Sequence, residues 1–242
     1  MSLIDDARLA RAIADAAGDL LLRVQTEGAD GDQGDREANA LILRMLHDAR
    51  PDDPILSEES ADDPVRLIAR RVWIVDPLDG TREFAEGRED WAVHIALAID
   101  GAPAVGAVAL PRRGITLSTD APPALQPAAS PPRMLVSRSR PSTLCASVSR
   151  TLPADTIGMG SAGAKAMAVV LGEAEIYLHS GGQHQWDNCA PAAVALAAGL
   201  HASRIDGSPL IYNEESTSIP DLLICRPELA QSVLELVASH EK

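Results

Sequence analysis

Cysteine is scarce in this 242-residue chain: Cys145, Cys189 and Cys225 are the three present, far apart and with no C-x-x-C. An odd, scattered set excludes a disulfide framework and a thiolate zinc site. Basic residues are short as well. Against 35 Asp and Glu stand 21 Lys and Arg, a net charge of -14. Such a surface repels phosphates, so neither nucleic acid nor an anionic membrane is expected as a partner. Long apolar runs are missing too. No segment reaches the ~18 residues that a membrane span needs, and the opening MSLIDDARLARAIADAAGD carries acids where a signal peptide would be basic and then apolar. A soluble, cytoplasmic protein is the expectation. Hydrophobic residues are plentiful at 46%, enough for a sizeable core in one large or two small domains.

Apolar residues at helical spacing (Leu9, Ile13, Ala16, Leu20, Val24) predict a helix from Asp5 to Gln25, and Leu41, Ile42 and Met45 a second from Arg36 to Ala49, stopped by Pro51 and Pro54. The Gly- and Asp-rich TEGADGDQGD between them reads as a loop. Residues 54–57 and 72–75 are short apolar strands, each running into carboxylates. From Trp91 a β-meander follows: WAVHIALAI, an Asp100-Gly101 turn, APAVGAVAL and GITLST. The proline-rich stretch 121–132 is expected to be a linker, dividing the chain into 1–125 and 126–242. Beyond it strands and helices alternate, with helices at 141–152, 162–171, 188–199 and from Pro227, the rhythm of a layered α/β half.

The acids give the clearest signal. If so acidic a chain handles an anion, bound divalent cations are the natural source of positive potential. In Trp73-Ile74-Val75-Asp76-Pro77-Leu78-Asp79-Gly80-Thr81 an apolar strand leads into two carboxylates three residues apart, which can converge at a strand end on a cation that prefers oxygen ligands. The same residues also suit a plain turn in which Asp79 and Thr81 cap backbone amides. Leu56-Ser57-Glu58-Glu59-Ser60 ends another strand, and Trp186-Asp187 precedes an apolar helix. Taken singly, the glutamates suit a solvated loop and Asp187 a helix N-cap; three such sites together favour a shared metal. His94, inside an apolar strand, reads as a satisfied core residue, Phe84 and Trp91 as core packing, and His184 is given no role.

SEES, DPLDGT and WD ahead of a small-residue helix resemble, in order and spacing, the inositol-monophosphatase-like, lithium-sensitive metal-dependent phosphatases, over nearly the whole chain. DPLDGTREF, VSRSR, GSAGAKAM and WDNCAPA are similar to the CysQ-type branch of sulfate assimilation, which removes the 3'-phosphate of 3'-phosphoadenosine 5'-phosphate to leave AMP. That resemblance implies an α/β fold, an αβαβα layered sandwich of the sugar-phosphatase type. It implies a phosphoric monoester hydrolase, with inositol phosphates and fructose 1,6-bisphosphate as alternative substrates on the same metal core. Two or three Mg²⁺, with Li⁺ inhibitory, would be held by Glu58, Asp76, the Leu78 carbonyl, Asp79 and Asp187. Asp35 would take a proton from water oriented by Thr81, although Gly-Asp-Gln-Gly precedes Asp35 in place of the family's usual hydroxyl residue. Asp35 also suits a helix N-cap. Gly80 would let the backbone approach the phosphoryl oxygens. No covalent-phosphatase signature accompanies these motifs, so direct in-line displacement is expected.

Gly158-Met159-Gly160-Ser161-Ala162-Gly163 matches G-x-G-x-x-G between a short strand and a helix, so a dinucleotide-binding oxidoreductase is an alternative from another class. In the nucleotidase branch this segment lies at the substrate, which implies contacts from Ser161 and Lys165. Ser137-Arg138-Ser139-Arg140 corresponds to a segment of that branch in which Arg140 stands where histidine is usual; Arg140 would pair with the 5'-phosphate, making Ser137 and Arg140 candidate specificity residues, and the segment also suits a solvated loop. Substrate contacts are also expected from Gly80, Thr81 and Asp187. A homodimer is left open.

Overall fold

A computed structural model describes residues 2–139 and 141–240. The first sheet holds β1 (Ile55–Ser57), β2 (Arg71–Asp79), β3 (Ala92–Ile99), β4 (Ala102–Leu110) and β5 (Ile115–Ser118) in sequential order. β1 is parallel to β2, and the rest is the antiparallel meander expected from Trp91 onward. Asp100 and Gly101, at φ 50° and 80°, join β3 to β4 with the left-handed pair that suits the twist of a tight hairpin. The second sheet runs β7 (Asp155–Met159), β6 (Arg133–Ser137), β8 (Ile176–His184), β10 (Ser218–Cys225), β9 (His201–Ser203), with β6 parallel to both its neighbours.

Helices fill the remaining layers. α1 (Leu3–Thr26) and α2 (Gly31–Ala49) cover the outer face of the first sheet, burying Ile13, Leu21, Ile42, Leu46, Trp73 and Val75. α5 (Ala162–Val170) and α6 (Gln185–Ala197) lie between the sheets in a core that includes Leu56, Ile74, Val108, Met167 and Leu222. α4 (Thr143–Thr151) and α7 (Pro227–His240) close the far side over Met134, Leu178 and Leu223. The result is the expected αβαβα sandwich. Because both faces of β2 are covered, its residues read as an unbroken apolar run, Val72 and Ile74 facing one core and Trp73 and Val75 the other. α6 is rich in alanine because it presses on β4: a Cβ on Gly106 would meet the Ala190 carbonyl at 2.6 Å.

Several local expectations shift. α1 buries Ala10, Ile13, Ala14, Ala17, Leu21 and Val24, while Leu9, Ala16 and Leu20 are only half-buried. Small residues on that face, with Gly18 against Pro111, let the helix settle close to the sheet. The Gly/Asp-rich loop is shorter than expected, since α2 starts at Gly31, capped by Asp30, whose side chain accepts the Gln33 N–H at 2.8 Å. Glycine is a poor helix former, but Gly31 and Gly34 are needed where α2 meets Thr81, Leu21 and Phe84. Asp35 is therefore not an N-cap; it lies inside α2. Residues 119–132 carry no helix or strand, yet they are tied down, with the Ala129 N–H bonded to buried Glu175 at 2.9 Å. Among the described residues no helix is long and apolar enough to cross a membrane.

Candidate active site

β2 brings Asp76 and Asp79 to its carboxyl end, and the geometry there is irregular. Asp76 pairs with His94 and Asp79 with Ala92, so three steps along β2 match two along β3. In a regular strand, residues three apart point to opposite faces; the extra residue returns both carboxylates to one side. Asp187, third residue of α6, meets them there. One ligand oxygen from each of Asp76, Asp79 and Asp187 lies within 4.8 Å of the others. Asp187 is not the N-cap of its helix, a position held by His184, but its Oδ2 accepts the His184 backbone N–H at 2.6 Å. Glu58 follows β1, which runs parallel beside β2, and lies close enough to Asp79 and Asp187 to feel both charges.

So many buried acids disfavour their own ionisation. Burial, reinforced by Glu59 and Glu58, pushes Asp35 up to about 8. Burial and then the Asp187 and Asp79 charges push Glu58 up to about 7, and burial with Asp79 raises Asp187 to about 6. Asp76, fully buried among these acids, is raised for the same reasons, burial first. Asp79 is the exception. Burial acts to raise it, but His94, the Ser161 hydroxyl and the Gly163 N–H together bring it down to about 2. Ser161 donates to Asp79 Oδ2, the Gly163 N–H reaches the same oxygen at 2.6 Å, and His94 Nε2 lies 3.3 Å from it. That last approach is an ion-pair distance rather than an aligned hydrogen bond, since His94 Nε2 has no hydrogen-bond partner. Asp35 Oδ1 is likewise buried and unpartnered.

The strand ends in Gly80, at φ 99°, where a Cβ would also crowd Trp91 and Ser161. The chain then enters the short helix α3 (Thr81–Ala85). Thr81 Oγ1 donates to the Leu78 carbonyl at 3.4 Å, and the Leu78 N–H donates to Asp76 Oδ1 at 3.0 Å. A cavity of about 290 Å³ opens beside the acids, lined by Asp79, Gly80, Thr81 and Asp187 together with Ser137, Lys165 and Tyr177. Arg140 lies outside the described residues. Larger clefts lie elsewhere, among them two of about 610 Å³. One borders Arg88 and Arg113, but these are already paired with Asp90 and Glu173, so it lacks the chemistry of the smaller one.

The glycine-rich loop serves this centre. Its Gly160 N–H donates to Asp90 Oδ2 at 2.7 Å and its Gly163 N–H to Asp79. A Cβ on Gly160 would strike Glu83 at 2.4 Å, and one on Gly163 would strike His94 at 2.0 Å. Amides engaged by the protein's own carboxylates cannot cradle a pyrophosphate, which removes the dinucleotide reading. Ser161, at φ 42°, caps α5 by accepting the Ala164 N–H at 3.0 Å while donating to Asp79. Lys165 is buried. Its Nζ donates to the Gly160 and Ser161 carbonyls at 3.0 and 2.7 Å and lies 5.2 Å from the Tyr177 ring centroid. His184 stacks on Trp186 with ring centroids 4.7 Å apart.

The profile of the inositol monophosphatase family matches residues 8–123 and 128–242. The chain belongs to that family. A 3'-phosphoadenosine 5'-phosphate phosphatase of Mycobacterium bovis is 51% identical over 240 residues, 92% of this chain and 89% of that protein. The 3'(2'),5'-bisphosphate nucleotidase CysQ of Escherichia coli K12 is 35% identical over 193 residues, 74% and 77% of the two chains. Among solved structures, inositol monophosphatase II of Staphylococcus aureus superposes with a TM-score of 0.81 at 19% identity, covering 96% of this chain and 95% of the other, a likeness of fold. The inositol monophosphatase family consists of metal-dependent phosphatases, and this chain's residues fit a metal. Asp76, Asp79 and Asp187 offer converging hard oxygens, Glu58 stands beside them, and burial leaves several of these acids short of positive charge.

His94 lies in the core, as its apolar strand implied, but only its Nδ1 is satisfied there. Fully buried, its Nδ1 lies 3.0 Å from the Trp186 carbonyl and 3.9 Å from Asp76 Oδ2. The only available signal was a titratable ring in an otherwise apolar strand adjoining DPLDGT.

Proposed function

We propose that this chain hydrolyses 3'-phosphoadenosine 5'-phosphate to AMP and phosphate with Mg²⁺. The observation that carries the reading is the convergence of Asp76, Asp79 and Asp187 beside a cavity that Asp79 and Asp187 line together with Ser137 and Lys165. The choice of substrate is supported by relatives at 51% and 35% identity that bear the names of this activity. Glu58, Asp76, the Leu78 carbonyl, Asp79 and Asp187 would hold Mg²⁺. Bound there, it supplies positive charge to the phosphoryl oxygens, acidifies water and stabilises the departing oxygen. The remaining steps belong to the chain. Thr81 Oγ1 orients the attacking water, and Asp35 Oδ1, buried and unpartnered, receives its proton; Asp35 is raised to about 8 by burial and neighbouring acids and acts in its ionised form, which positive charge nearby favours. The water oxygen bonds to phosphorus as the bond from phosphorus to the 3'-oxygen breaks in line, with no phosphoenzyme, and the departing oxygen takes a proton from solvent to become the 3'-hydroxyl of AMP. Gly80 keeps that approach free of a side chain. Ser137 and Arg140 would serve the 5'-phosphate side, while Lys165 and Ser161 line the same cavity as Asp79 and Asp187.

Phosphate release from 3'-phosphoadenosine 5'-phosphate, inositol 1-phosphate and fructose 1,6-bisphosphate, each with Mg²⁺ and with EDTA, tests this reading. The nucleotide is expected to be the preferred substrate, with EDTA abolishing turnover and Li⁺ inhibiting it. Preference for inositol phosphate, or undiminished turnover in EDTA, would overturn it.

A further inference from the structure

His94 is a buried titratable group that the chemistry above does not use, although it touches three parts of the site. Its β3 position pairs directly with Asp76. Nδ1 faces the Trp186 carbonyl at 3.0 Å, so Nδ1–H donates a hydrogen bond to that oxygen, one residue before Asp187. Nε2 lies 3.3 Å from Asp79 Oδ2. The ring fits only because residue 163 is glycine, whose missing Cβ would lie 2.0 Å from Nε2. The same glycine's N–H then reaches Asp79 Oδ2 at 2.6 Å. Ring, loop and carboxylate interlock.

We propose that His94 is a positioning residue for the cation centre, tying the start of α6, which carries Asp187, to the end of β2, which carries Asp76 and Asp79. These acids come from elements more than a hundred residues apart in sequence, and mutual repulsion acts to separate them. A rigid ring bonded to one element and packed against the other holds their spacing before a cation arrives, as partners of metal-binding groups do. Asp79 Oδ2 is thereby enclosed by His94, Ser161 and Gly163, and Oδ1 carries none of these contacts. The role rests on the metal reading above and is argued from the spacing that the ring enforces, beside its separate effect on the Asp79 charge.

The test uses the full chain without substrate, measuring Mn²⁺ binding by titration calorimetry and, separately, urea unfolding in EDTA. His94→Asn places an amide N–H where Nδ1–H stands and preserves the bond to Trp186; His94→Leu fills the space without it. His94→Leu is expected to weaken Mn²⁺ binding by about 10- to 100-fold, and His94→Asn to recover a large part of that loss, with both variants unfolding in EDTA at similar urea concentrations. Wild-type affinity in His94→Leu would overturn the proposal. So would equal losses in both variants that follow their losses of stability, because these would indicate a merely structural ring. A wild-type chain that binds no Mn²⁺ would overturn the metal reading itself, and this proposal with it.

Discussion

Asp79 Oδ2 accepts the Gly163 N–H at 2.6 Å across 84 residues of sequence, joining the end of β2 to the first turn of α5. Both partners have no latitude. Asp79 is fixed by the strand irregularity that turns it toward Asp76, and Gly163 by the His94 ring packed where its side chain would be. The glycine-rich loop is thus part of how the acidic centre is built.

Replacing Gly163 with alanine would put a methyl group 2.0 Å from His94 Nε2, with no flexible side-chain end to yield. A stability loss of about 1–3 kcal/mol is expected from overpacking, together with a loss of turnover exceeding that of Gly158→Ala, whose Cβ meets nothing closer than 3.6 Å. Urea unfolding and phosphate release on the two variants check this.

The metal-free protein should grow less stable as pH rises. Asp35, Glu58 and Asp187 have folded-state values near 8, 7 and 6, all above their ordinary 3.8, 4.5 and 3.8, so the folded chain binds protons more tightly than the unfolded one. Their contribution is fully present below the ordinary values and is lost as pH climbs through the raised ones. Asp79, held near 2, acts oppositely and loses its contribution as pH falls from 3.8 toward 2. Thermal unfolding in EDTA should therefore show a midpoint falling between roughly pH 4 and 8. Mg²⁺ should restore more at pH 8 than at pH 5, and a flat profile would contradict the arrangement.

Asp187→Asn should separate folding from function. Removing one of several mutually repelling carboxylates is expected to leave the EDTA urea midpoint unchanged or raised at pH 8. It should lower kcat/KM by about 1,000-fold or more through lost charge stabilisation. Unfolding curves and initial rates with 3'-phosphoadenosine 5'-phosphate measure both.

Asp35→Asn tests the proton acceptor. A drop in kcat of about 100- to 10,000-fold is expected, with the Mg²⁺ concentration for half-maximal rate little altered. A large shift in that concentration would reassign Asp35 to the metal.

Lys165→Met keeps the length of the side chain but deprives the buried Gly160 and Ser161 carbonyls of their donor. The expected loss is about 1–3 kcal/mol, with KM for the nucleotide raised as the loop relaxes. Denaturation and a KM-against-kcat comparison check it.

The order of elements was legible from periodicity and breakers because these are local properties. Prolines at 51 and 54 end α2, Asp100-Gly101 turns the meander, and both faces of β2 are covered, so its apolar run has no gaps. The acid-bearing motifs were legible for the same reason: residue type and spacing are written in the chain. What only the tertiary structure decided depends on contacts between distant segments. The slip between β2 and β3 puts Asp76 and Asp79 on one side, because pairing register is a property of two strands together. Helix α2 begins behind the Asp30 cap and keeps glycine at 31 and 34 because Thr81 crowds the first position and Leu21 with Phe84 the second. Lys165 turns inward because the Gly160 and Ser161 carbonyls lie within its reach, and the buried His94 ring meets Asp79, Trp186 and Gly163, neighbours that its strand alone could not reveal. Sequence determines which groups are present and which local conformation each favours; packing determines which of them meet, since the energy of a buried charge depends on neighbours that are remote along the chain.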